Sequence, residues 1–177
     1  MTEHTPRNLV LAVQLFHRGF AYVLFEGPES PFDWGTKEIK QRDKNTGTLV
    51  EAKRLIDRYR PEVLVIGEMD GKATPRTSRI RKLYRMLVHL AAAEYVDVHR
   101  CSRSEVRACF AAVGARTKQE IAKAIARQIP AFAHRLPRPR REWMGADSRQ
   151  SLFDAVALAL TYYGRGIPSP YADEVAS

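Results

Sequence analysis

Three carboxylates in this chain stand where they could do chemistry: Asp154, Glu68 and Asp147. Asp154 lies within Leu152–Leu160 (LFDAVALAL), where every other residue is apolar. A charge on such a helix needs a partner, because burying it unpaired is costly. Its i±3 and i±4 neighbours are Gln150, Ser151, Ala157 and Leu158, so no Lys or Arg stands one turn away on its own helix. The partner is then a residue of another element or a metal ion, unless the helix turns Asp154 to its wet edge. Glu68 ends the run VLVIGE, where open α/β sheets present functional side chains, with Asp70 two residues on; the plainer reading is the start of a polar loop. Asp147, Ser151 and Asp154 fall at i, i+4 and i+7 and share a helix face. Asp147 suits N-capping of that helix equally well.

Carboxylates from a strand end and a distant helix are what a hard divalent cation such as Mg²⁺ takes. The charge distribution supplies the other half of the argument. The 177 residues carry a net +9, but Lys72–Arg141 holds 17 Lys and Arg against four acids, and the remainder is net −4. A concentrated basic block suggests a polyanion, foremost nucleic acid; solvated helix faces are the plain alternative, and an acidic protein partner a further one. Acids beside a polyanion surface fit metal-assisted phosphodiester chemistry. Other chemistries find less support. Gly71–Ser78 lacks the spacing of a phosphate loop, the five histidines lack metal-ligand spacing, and no nucleophile elbow occurs. Tyr59, Tyr84, Tyr95, Trp34 and Trp143 could stack on bases, although core packing is their default role.

These residues need a sheet and helices to hold them. Asn8–Phe16 is a nearly continuous apolar run, as in a central strand covered on both faces. Phe20–Glu26 and Phe32–Lys40 follow after short turns, which favours antiparallel hairpins. Thr48 and Glu51 form a capping-box pattern opening a helix that Pro61 stops. Val63–Gly67 reads as a buried strand, Gly71–Thr77 as a loop, and the next helix turns Ile80, Leu83, Leu87, Leu90 and Ala91 inward. Tyr95–His99 alternates as a fifth strand. Ser102/Glu105 and Thr117/Glu120 are further capping boxes with Gly114 between them. Ala131–Arg141 reads as an exposed connection, and the last helix runs from about Ser148 to Tyr163. The expectation is a single α/β domain over residues 1–177, with a core at about 8–164 and a flexible tail at 165–177. No stretch approaches 18 uninterrupted apolar residues, which excludes a membrane span. Cys101 and Cys109 form no disulfide framework and the N-terminus no secretory signal, which fits a cytoplasmic protein.

The order of elements resembles the RNase H-like superfamily, and within it the RuvC-like Holliday junction resolvases. Asn8–Gly27 (NLVLAVQLFHRGFAYVLFEG) is similar to their first hairpin and Val63–Glu68 to their fourth strand. Gly114–Ile125 (GARTKQEIAKAI) resembles their basic helical segment, and Ser151–Leu160 their closing acidic helix. The resemblance implies a five-stranded mixed sheet, three antiparallel strands then two parallel, with helices on both faces. It also implies carboxylates around two divalent metals, Mg²⁺ or Mn²⁺, a branched or structured DNA substrate, and a homodimer. The fourth-strand acid falls on Glu68 and the helix acid on Asp154; the extra helix acid falls on Ser151, with Asp147 one turn earlier as a substitute. The first-strand Asp falls on Gln14. An amide is neutral and offers one oxygen, so Gln14 implies a metal-dependent endonuclease with weakened or lost activity. A lapsed member that binds DNA or RNA as an accessory is the alternative. Arg79, Arg81, Lys82, Lys118 and Lys123 are the cations expected on phosphates.

Overall fold

The computed structural model describes residues 8–69, 74–137 and 148–164. The first apolar run forms strand β1 (Val10–Phe16), which pairs antiparallel with β2 (Gly19–Phe25) from Val10↔Phe25 to Phe16↔Gly19. β3 (Pro31–Glu38) continues the meander on the far side of β2. Gly19 is required where these three strands meet, because a Cβ there would drive into the carbonyl of Lys37 on β3. β4 (Val63–Gly67) and β5 (Asp97–Cys101) both run parallel to β1, giving the order β3-β2-β1-β4-β5. This is the mixed sheet expected from the sequence, with its most apolar strand at the centre.

Side-chain alternation divides the core into two layers. Leu9, Leu11, Val13 and Leu15 face one layer, closed by α1 (Lys44–Tyr59) and α2 (Pro75–Ala93) through Leu55, Ile56, Leu83 and Leu87. Val10 and Ala12 face the other, under α5 (Ser148–Gly164). α3 (Arg103–Ala111) and α4 (Lys118–Gln128) contribute Phe110, Ala122 and Ile125 to that second layer. Helices thus cover both faces of the sheet. The Ser102/Glu105 and Thr117/Glu120 capping boxes form as expected, and Gly114 takes a left-handed φ of 77° after α3.

Four expectations are corrected. α1 begins at Lys44, not Thr48, because the Asp43 side chain accepts from the backbone N–H groups of Asn45 and Thr46. Thr48 is buried one turn inside, and Glu51 pairs instead with Arg54. α2 starts at Pro75, with Thr74 and Thr77 forming a reciprocal cap where a loop was expected. The fifth strand starts two residues later than its alternation suggests; Tyr95 takes a φ of 59° and lies 97% exposed at the turn before it. The first part of Ala131–Arg141, expected to be an exposed connection, belongs to a short 3-10 helix (Pro130–Arg135) that plants Phe132 in the core between Phe25, Trp34 and Phe153, and residues 138–141 lie outside the described residues. The expected tail, 165–177, lies outside the described residues.

Candidate functional site

Gln14 continues the Val10–Ala12 row of β1 toward α5. The β1–β4 pairing ends at Val13↔Ile66, so the next register step sets Gln14 beside Gly67 and brings Glu68 to the end of β4. The Glu68 N–H donates to the Cys101 carbonyl (3.0 Å), extending the β4–β5 ladder and fixing the backbone where Glu68 leaves the sheet. α5 crosses above, and its small residues Ala155 and Ala159 allow close packing over Ala12 and Ala21. A cleft of about 500 Å³ opens at this strand end, and Gln14, Glu68 and Asp154 all line it.

Asp154 has found its partner on another element. Lys118 Nζ donates to Oδ2 (3.2 Å), and Gln150 Nε2 donates to Oδ1 (3.0 Å) from one turn back on α5. Lys118 opens α4, immediately after the Thr117 cap. In that cap, Glu120 accepts from the backbone N–H of Arg116 (2.7 Å) and Thr117 (3.2 Å), which holds its carboxyl below the usual range. The Lys118 side chain is 71% exposed and that of Asp154 24%. A pair so open to water contributes at most about 1 kcal/mol, so the ammonium is placed against Asp154 yet free to engage an incoming anion.

Gln14 is half-buried, and its Nε2 makes a long bond to the neighbouring Leu15 carbonyl (3.4 Å). The Leu15 N–H donates to the Tyr84 hydroxyl (3.3 Å), which brings the phenol into the cleft wall. Burial pushes the Tyr84 phenol up to about 12; the backbone bond pulls the other way and the Asp154 charge adds to the rise. Tyr84 is therefore a neutral hydroxyl at ordinary pH.

The other expected residues divide. Arg79 donates to the Asn45 side chain (3.0 Å) and the His17 carbonyl (3.0 Å), so its guanidinium ties α2 to α1 and the first hairpin. Arg81 lines a smaller hollow of about 320 Å³ with Arg85, Arg100 and Glu68, adjoining the cleft. Lys82 is exposed on α2 on the side of Asp43, whose carboxyl its charge helps to lower. Lys123 lines a different groove, with Arg127 and Tyr163. Asp147, Asp70 and Trp143 lie outside the described residues. Trp34 packs on Phe132, and the Tyr59 hydroxyl donates to Asp33, so these two serve the fold. The sequence reading missed Arg103, Arg107 and Arg116, which stand on the cleft wall. Arg103 and Arg107 are one helical turn apart in α3, a spacing the sequence displays once the helix is recognised.

A divalent cation was the cofactor implied by the resemblance, and among the described residues the donor set does not fit a two-metal centre. Two carboxylates line the cleft, Gln14 supplies a neutral amide, and both oxygens of Asp154 already accept hydrogen bonds. Among the described residues no group of three or more His, Cys, Asp or Glu comes together to hold a metal ion.

The sheet order, the helices on both faces and the late α5 define an RNase H-like fold of the RuvC type. The chain aligns with RuvC of Thermus thermophilus bound to a Holliday junction substrate over 94% of its length and 95% of that chain, with a TM-score of 0.62 and 18% identity. It aligns with the yeast mitochondrial Holliday junction resolvase Ydc2 over 90% of its length and 79% of that chain, with a TM-score of 0.63 and 16% identity. What these identities share is the fold. No family model matches the sequence, and no curated protein does.

Proposed function

We propose that this chain is a RuvC-like protein that grips branched or structured DNA at the cleft between β1, β4 and α5, with its metal-dependent nuclease activity weakened or lost. The supporting observation is the convergence of Gln14, Glu68, Asp154 and Lys118 in one cleft walled by arginines, on this fold. Lys118, Arg103, Arg107 and Arg116 bind phosphate oxygens, with the arginines suited to bidentate contact. Glu68 and Asp154 are the carboxylates left to orient an attacking water. The amide of Gln14 cannot take a proton from that water or add the missing negative charge.

The test is incubation of labelled four-way junction and duplex DNA with Mg²⁺ or Mn²⁺, using wild type, Gln14→Asp and Asp154→Asn. Junction binding by wild type with cleavage only by Gln14→Asp is the expected result. Cleavage by wild type that disappears in Asp154→Asn would establish an active enzyme instead. If none of the three proteins binds DNA, the proposal fails. Among the described residues no helix is long and apolar enough to cross a membrane.

A further inference from the structure

The mismatch between this donor set and a divalent centre leads to a more specific statement, which rests on the DNA-binding reading above. We infer that the cleft binds a DNA phosphodiester directly, without a divalent cation, Lys118 serving as the resident counter-ion of Asp154. Among the described residues the cleft wall carries four cationic side chains, Arg103, Arg107, Arg116 and Lys118, against two carboxylates, Glu68 and Asp154. That surplus attracts phosphate and opposes a further dication. Hard divalent ions take several oxygen ligands, anionic carboxylates foremost; here a cation, Lys118, already stands at 3.2 Å from one Asp154 oxygen, and Gln150 donates at 3.0 Å to the other. Gln14 adds a neutral amide to this wall and no negative charge. A metal entering this site must displace an ammonium from its carboxylate, whereas a phosphate finds the same ammonium largely exposed.

Two measurements test this on the full chain. Fluorescence anisotropy with a labelled four-way DNA junction is run in EDTA and in Mg²⁺ at matched ionic strength. Calorimetry with Mn²⁺ alone is run on wild type, Lys118→Met and the double variant Gln14→Asp/Lys118→Met. Junction affinity is expected to agree within about threefold between the two buffers, because direct phosphate contacts depend on total salt and not on a bridging ion. Wild type is expected to show no saturable Mn²⁺ binding below millimolar concentration. Lys118→Met is expected to weaken the junction complex in EDTA about tenfold, as loss of one phosphate contact does, while the double variant binds Mn²⁺ below millimolar concentration, tighter than the millimolar metal on which cleavage by Gln14→Asp alone depends. Those opposite signs are what a merely structural lysine would not produce, and Lys118→Arg should restore junction affinity. Junction binding that rises tenfold or more with Mg²⁺, or sub-millimolar Mn²⁺ binding to wild type, overturns the inference while leaving the DNA-binding reading standing. Absence of junction binding in both buffers overturns both.

Discussion

The two faces of the sheet use the same five strands to opposite ends. Under α1 and α2 the layer is sealed by amphipathic helices, and around the end of α1 the charges outside it pair with one another. Lys53 meets Asp57 at 2.7 Å and Glu94 at 3.5 Å, and Arg60 also reaches Glu94 at 3.5 Å. Under α5 the helix is buried on nearly every side, from Gln150 to Thr161, with Asp154 its only acid. Its ion partner comes from α4, and three more cations stand on the same cleft wall. The difference teaches where to look for function in a fold of this kind. A stretch whose charges pair locally supports the fold, whereas the strand end, where Arg81 and Arg85 of α2 join the cations of the cleft wall around Glu68 and Asp154, is the part prepared for a ligand.

The largest effect should come from breaking the packing that holds α5 down. Phe132 is fully buried between β2, β3 and α5, with its ring 5.0 Å from that of Trp34 and 6.3 Å from that of Phe153. Phe132→Ala should cost about 3–5 kcal/mol of stability, the range for a buried aromatic truncated to alanine, read from urea denaturation. Leu87→Ala on the opposite face should cost about 2–5 kcal/mol. The two differ in their functional consequence: at temperatures where both variants are folded, only Phe132→Ala should weaken junction binding. Equal loss of binding in both would erase the distinction between the faces.

A smaller effect separates cations by location. Arg116 stands on the cleft wall, whereas Lys123 lines the groove on another side of α4. Arg116→Ala should lower junction affinity about tenfold at moderate salt and reduce the salt slope by about one. Lys123→Ala should stay within about twofold of wild type. Similar losses in the two variants, measured by anisotropy titrations across a salt series, would move the DNA path out of the cleft and around α4.

How much of this was legible in the residues follows the range of the interactions. The sheet was legible because β1 is apolar on both sides and Val63–Gly67 is too short and too β-branched for a helix. Asp154 was legible as a charge in need of a partner because its helical neighbours are apolar or neutral. Which partner it takes was not, since Lys118 lies 36 residues away and reaches it only through the packing of α4 on α5. Phe132 was misplaced because prolines and cations surround it in the chain, while the aromatic pocket that receives it is built from β2, β3 and α5. Gln14 could be placed on a strand from the sequence. That its amide faces a cleft rather than the core depends on the β1–β4 register ending one residue before it.

The gentlest probe concerns the sealed face, where the start of α1 was misread. Thr48 and Glu51 have capping-box spacing, but that spacing also occurs between any two residues one turn apart inside a helix. Asp43 competes successfully because its carboxylate accepts from the N–H groups of Asn45 and Thr46 at 3.1 Å each and from the Thr46 hydroxyl at 2.8 Å. The Thr46 backbone bond is the main cause holding its carboxyl below the ordinary 3.8, with the Thr46 hydroxyl next. Because the folded value is depressed, the stability this cap supplies is fully present above pH 3.8. It is lost as pH falls through the lower folded value. Asp43→Asn keeps an oxygen acceptor but cannot titrate, so it should cost little at pH 7 and remove this part of the acid-side decline in melting temperature. Asp43→Ala should lower the melting temperature at pH 7, and Thr48→Ala should do so less, since Thr48 caps nothing. If Thr48→Ala proves the more damaging of the two, the helix begins in solution where the sequence pattern put it. Junction affinity should be unchanged in all three variants, because neither Asp43 nor any residue of α1 lines the cleft.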